Sequence, residues 1–166
     1  MPTSVQALVH PLEQPAIRSL IQPLIQRWLA APGGHIILNN QRHGFVSGNN
    51  RYRQRILEDV AWLKLAFVSE DVHFMTPVGM LIARIAGWEQ ETESGPALKG
   101  WKQFEIGVKG CFRAGYGISS EAQQDAKAYL AEGIAHFLVD RQRLNRHDPR
   151  LEKLLVSTLF NPDAYR

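Results

Sequence analysis

The chain has 166 residues, of which 45% are hydrophobic and 21% charged, with a net charge of +3. Those proportions exclude a wholly disordered chain and fit one domain of ordinary size with its own core. A single cysteine, Cys111, excludes an internal disulfide or a multi-cysteine zinc site, and no apolar run approaches the ~20 residues of a membrane helix.

The opening MPTSVQALVHPLEQP has neither a basic start nor a sustained apolar stretch. A signal peptide is therefore not expected, and a soluble cytoplasmic protein with no membrane partner is. Ile17, Leu20, Ile21, Leu24, Ile25, Trp28 and Leu29 repeat with helical period and keep their phase across Pro23. They predict one helix over residues 15–30, kinked at the proline and stopped by Ala31-Pro32-Gly33-Gly34. Next, His35 to Leu38 and Phe45 to Ser47 flank Asn39-Asn40-Gln41-Arg42-His43-Gly44. Turn-forming asparagine and glycine there suit a small β-hairpin near residues 35–47, or an irregular loop.

A second helix is predicted over residues 50–68, because Ile56, Val60, Leu63 and Phe67 form a stripe widened by Leu57, Ala61 and Ala66. A third is expected to start at Thr76 as cap and Pro77 as first residue, ending at Gly87. Residues 95–117 read two ways. Trp101, Phe104, Val108, Cys111 and Phe112 fit a helix, while Phe104, Ile106 and Val108 also alternate as a strand would. The helix is preferred, close-packed at its glycines. Ser120 and Gln123 make a capping-box pattern before a fifth helix buried through Ala126, Tyr129, Leu130, Gly133, Ile134, Phe137 and Leu138. Asp148 as cap and Pro149 as first residue begin the last helix. The expected fold is mainly α: one compact domain over residues 1–166, with five or six helices.

Little of this carries chemistry. Dinucleotide, P-loop and nucleophile-elbow glycine patterns are absent, and no motif assigns an enzymatic reaction or a cofactor. Glu132, His136 and Asp140 sit four apart, a spacing that aligns metal-ligating side chains on one helix flank. That flank lies away from the apolar face, so a solvated stripe is the expectation and no metal is assigned. Cys111 falls on an apolar stripe and reads as a small buried hydrophobe. His147-Asp148 offers two ligand types side by side, but the aspartate already has its role as a cap.

The remaining signal is NNQRHGFVSGNNRYRQR, residues 39–55, with four arginines, a histidine and no acid. Arg42, Arg51, Arg53 and Arg55 suit phosphate contacts and Tyr52 suits base stacking, with His43, Phe45 and the asparagines as further contacts. Arg141, Arg143 and Arg146 supply a second basic segment that would assist if it shared the same face. The competing expectation is that these arginines pair with acids such as Glu58, Asp59 or those of residues 89–93. The function expected is non-catalytic binding of nucleic acid or a nucleic-acid-handling complex. The alternatives are an assembly subunit, forming a homo-oligomer or docking an acidic protein through exposed Trp62, Trp88 or Trp101, and a metal-dependent enzyme using Glu132, His136 and Asp140.

Overall fold

The computed structural model describes residues 33–67, 71–88, 100–115, 119–120 and 122–161. The helix expected over residues 15–30 and the acidic residues 89–93 lie outside them. Among the described residues the chain forms a three-stranded sheet followed by five helices. The strands are β1 (Gly33–Asn39), β2 (Gly44–Tyr52) and β3 (Arg55–Lys64), in the spatial order β1-β3-β2. β1 runs parallel to β3, and β2 antiparallel to it. A 3-10 turn, Leu65–Phe67, leads to α1 (Asp71–Ala86), α2 (Trp101–Arg113), α3 (Ala126–Val139), α4 (Arg141–His147) and α5 (Pro149–Ser157).

Two expectations are overturned here. The segments flanking residues 39–44 are strands, but they do not pair with each other; each pairs with β3, which lies between them. The connection instead wraps over the end of β3, with Asn39 Oδ1 accepting from the amides of Gln41 and Arg42 and its Nδ2 donating to the carbonyls of Arg42 and Leu63. The asparagine supplies turn chemistry as expected, for a different turn. The second correction is larger: residues 50–64 are not a helix. They are the end of β2, a turn and the whole of β3. Val60, Ala61, Trp62 and Leu63 are all buried, as befits a central strand covered on both faces. A short apolar run of that kind cannot be told from a buried helix by period alone. The turn was equally hard to read, because Arg53 (φ 47) and Gln54 (φ 65) take the left-handed conformations that Asn-Gly would advertise.

The third helix begins at Asp71 rather than Thr76, with Pro77 inside it. Proline lacks the amide that would bond to the carbonyl four residues back, here His73. That carbonyl is not orphaned: His43 Nε2 lies 3.0 Å from it. The other ring nitrogen, Nδ1, lies 3.1 Å from the amide of Lys64. An amide can only donate, so Nδ1 accepts and the proton sits on Nε2, which donates to His73. Thr76 Oγ1 donates to the carbonyl of Val72 instead of capping.

Helices α2 and α5 follow the sequence expectations more closely. Residues 101–113 are helical, burying Trp101, Phe104, Val108 and Cys111. Asp148 caps α5 by accepting from the Leu151 amide, and Pro149 is its first residue. For α3 the cap is Asp125, accepting from the Ala128 amide, rather than Ser120. Every residue of α3 from Tyr129 to Leu138 is buried. Such a helix has no solvated side, since α1, α2, α4 and α5 all pack around it.

The α1–α3 crossing depends on Gly79. A Cβ there would stand 2.1 Å from the carbonyl oxygen of Ala131, a backbone atom that cannot rotate away. Replacing Gly79 by alanine should raise helix propensity by about 1 kcal/mol yet force the helices apart, at a larger cost of about 3 kcal/mol. A fall in Tm of several degrees for Gly79→Ala is expected; an unchanged or higher Tm would contradict the close crossing.

Candidate functional site

The basic segment runs from the end of β1 through β2 into the β2–β3 turn. Pairing with β1 reaches no further along β3 than Glu58, opposite Gly33, whereas pairing with β2 continues through Leu57, Ile56 and Arg55, opposite Asn50, Arg51 and Tyr52. The last three pairs and the turn form a two-stranded ribbon roughly 10 Å long, and Gly33 is the first of the described residues. A bulge between Val46 and Asn49 precedes it, with Gly48 at φ 78. Asn50 fastens this bulge: its Nδ2 donates to the carbonyls of Val46 and Gly48, and its Oδ1 accepts from Trp62 Nε1 at 3.3 Å. Bulges bend and twist a strand pair, so this one sets the direction of the ribbon.

On the ribbon Arg51 and Arg53 are exposed and Tyr52 is half-buried. The Arg53 guanidinium lies over the Tyr52 ring at 5.2 Å, Tyr52 meets Trp62 edge-on at 5.7 Å, and the exposed Arg42 lies over Trp62 at 5.2 Å. Trp62 thus links three of the singled-out residues. Arg55 is the register partner of Tyr52. Of the other expected contacts, His43 uses both ring nitrogens internally, Phe45 packs on the core, and Asn39 and Asn50 make internal bonds, while Asn40 and Asn49 are exposed.

Arg141, Arg143 and Arg146 do not make one patch. Arg141 Nε pairs with Glu152 at 2.8 Å and its guanidinium covers Phe137. Arg146 borders the same hollow as Arg141, together with Gln142, Asn145 and Glu152. Arg143 borders a cleft whose other wall includes His43 and Gly44. Ion pairs among the described residues are Lys109–Glu105, His136–Glu132 and Arg141–Glu152; Arg42, Arg51, Arg53, Arg143 and Arg146 belong to none of them.

The flank of Glu132, His136 and Asp140 is also corrected. Glu132 and His136 are 9% and 2% exposed, so neither is on a solvated stripe. His136 Nε2 stands 3.6 Å from Glu132 Oε1, within ion-pair reach but beyond a hydrogen bond, and its buried Nδ1 has no partner. Ser119 donates its hydroxyl to Glu132 Oε2. Asp140 is exposed and caps α4 through the Arg143 amide. No group of three side chains able to hold a metal occurs among the described residues. Sequence spacing had flagged the pair; what it could not show was that neighbouring helices cover that flank. The contribution of Ser119 had no local signal.

The three tryptophans proposed as partner anchors are likewise internal. Trp62, Trp88 and Trp101 are buried, and the last two meet edge-on at 5.9 Å. Deeper still, Tyr129 donates its hydroxyl to Asp148 Oδ2, and Asp148 is 1% exposed. Burial and the neighbouring Asp148 carboxylate push the Tyr129 hydroxyl far above its ordinary value of 10.0. The same two causes raise the Cys111 thiol above 9.0. Such a thiol is a buried hydrophobe and not a nucleophile.

No described helix is long and apolar enough to cross a membrane. No protein-family model, curated protein or solved structure matches the chain.

Because both groups keep their protons when folded at a pH where the unfolded chain releases them, the unfolded state then binds fewer protons. Stability is therefore full below the ordinary values of 9.0 and 10.0 and falls as pH rises through them. Urea titrations from neutral pH upward should show the midpoint dropping through that window, with the onset moving toward 10.0 in Cys111→Ala. A flat alkaline profile would contradict the burial of this pair.

Proposed function

We propose that the protein binds nucleic acid, with the ribbon of β2 and β3 as the contact. The observation that carries this reading is the ribbon itself: Arg51 and Arg53 are exposed on it and stand outside the ion pairs among the described residues. A two-stranded β-ribbon is narrow enough to enter the ~12 Å major groove of duplex DNA, and basic hairpin arms also follow the minor groove. Arg53 reinforces the reading. A left-handed conformation costs an L-residue with a Cβ about 1 kcal/mol or more, where glycine or asparagine would be easier. Strain held at an exposed turn is common where a side chain must be presented.

In this reading Arg51, Arg53 and Arg55 contact phosphate, and Tyr52 stacks on a base. Arg42, Arg143 and Arg146 add long-range attraction, while Arg141, held by Glu152, contributes least. The competing expectation, pairing of the arginines with Glu58, Asp59 or the acids of residues 89–93, falls on side chains outside the described ones.

Fluorescence anisotropy of labelled single-stranded DNA, duplex DNA and RNA tests the proposal directly. Micromolar or tighter binding is expected to at least one of them. It should weaken with salt, each phosphate contact adding about 0.9 to the slope of log K against log salt on duplex DNA. The Arg51→Ala, Arg53→Ala, Arg55→Ala triple variant should bind at least about tenfold more weakly, with a shallower slope. No binding to any of the three polymers, or full affinity in the triple variant, would overturn the reading.

A further inference from the structure

The cleft between the β1–β2 connection and α3 has a volume of about 520 Å³. That lies within the ~300–1,000 Å³ range of small-molecule sites and is far larger than a free inorganic anion needs. Val72, Pro77 and Met80 of α1 line one side, so part of its wall is apolar. Glu132, His136 and Arg143 border it too, and each has bonding capacity that the described residues do not use. Glu132 Oε1 has only His136 Nε2 near it, at 3.6 Å. His136 Nδ1 is buried without a partner, and Arg143 stands outside the described ion pairs. Native interiors leave few buried polar groups unsatisfied, and a functional role is one of the explanations for those left.

We propose that this cleft binds a small nucleotide, with the N–H donor edge of a guanine-type base on Glu132 and the phosphate on Arg143. A carboxylate offers acceptors only, so it selects a ligand edge that presents donors. Guanine presents two adjacent N–H donors on one edge, whereas adenine sets an acceptor beside its amino group. Arginine is suited to a phosphate at the opposite end through its planar array of donors. The exposed His73 imidazole, on the apolar side, gives a flat surface against which a heterocycle can lie.

Competing chemistries fit less well. Metal binding would need three ligating side chains, but His43 has both nitrogens engaged, by His73 and Lys64. Acyl transfer would need Ser119 against the imidazole. Its hydroxyl instead donates to the Glu132 carboxylate and accepts from the Ala122 amide. The nucleotide site is separate from the ribbon and does not rest on it.

Titration of the full chain with GMP, read by ligand-detected NMR and thermal shift, tests this site. Millimolar or tighter binding is expected for GMP, with AMP and guanosine weaker. Glu132→Gln and Arg143→Ala should each weaken GMP by about tenfold or more, the energy of a charge-assisted hydrogen bond. The triple arginine variant of the ribbon should bind GMP like the wild type, which separates failure here from failure there. Should Glu132→Gln not fold, the exposed Arg143→Ala and the AMP comparison still decide. Absence of GMP binding, equal binding of AMP, or unchanged affinity in Arg143→Ala would each overturn the assignment.

Discussion

One imidazole ties the sheet to the helices. Pro77 removes an amide from α1 and leaves the carbonyl of His73 without its helical partner. His43, arriving from the β1–β2 connection, fills that vacancy with its Nε2–H and takes the Lys64 amide on Nδ1. Losing the part-buried Lys64 bond would leave an amide unpaired at a cost of about 1–3 kcal/mol, whereas the exposed His73 carbonyl could turn to water. Phe67, His73 and Phe74 surround the ring, which limits its motion. Through this contact the end of β3, the start of β2 and the first turn of α1 are fixed together. The cleft wall is built on those segments, whereas the ribbon lies at the opposite end of the β2–β3 ladder.

The two proposed surfaces use opposite physics. On the ribbon, charge is held in water on exposed side chains, so its affinity should come from screened electrostatics and stacking. In the cleft a carboxylate and an imidazole are buried on a helix that neighbours cover. There, few contacts at low dielectric would decide which ligand is accepted. Gly79 matters to the second surface more than the first, because the α1–α3 approach it permits sets the distance between the apolar wall and Glu132.

Much of the helical half was legible in the sequence. Apolar stripes placed α2, α3 and α5, and Asp148-Pro149 marked the start of α5 with its cap. The sheet was not legible, for reasons that are particular. Val60 to Leu63 is a buried central strand without alternation, and the turn before it uses Arg53 and Gln54 where asparagine and glycine would have announced it. Pro77 was read as a helix start because the His43 bond that makes it tolerable comes from 34 positions earlier in the chain. The Arg, Tyr and Asn composition of residues 39–55 did point to an exposed basic element, although the element is a ribbon and its Asn50 fastens a bulge. Spacing alone found Glu132 and His136. Their burial needed the neighbouring helices.

The tautomer of His43 is the most direct measurement of this arrangement. Long-range ¹H–¹⁵N correlation of the imidazoles at neutral pH distinguishes a protonated Nε2 from a protonated Nδ1. A neutral ring with its proton on Nε2 is the result expected, since Nδ1 must accept from Lys64 and Nε2 must donate to His73. A proton on Nδ1, or averaging of the two forms as in a solvent-exposed histidine, would contradict the bridge.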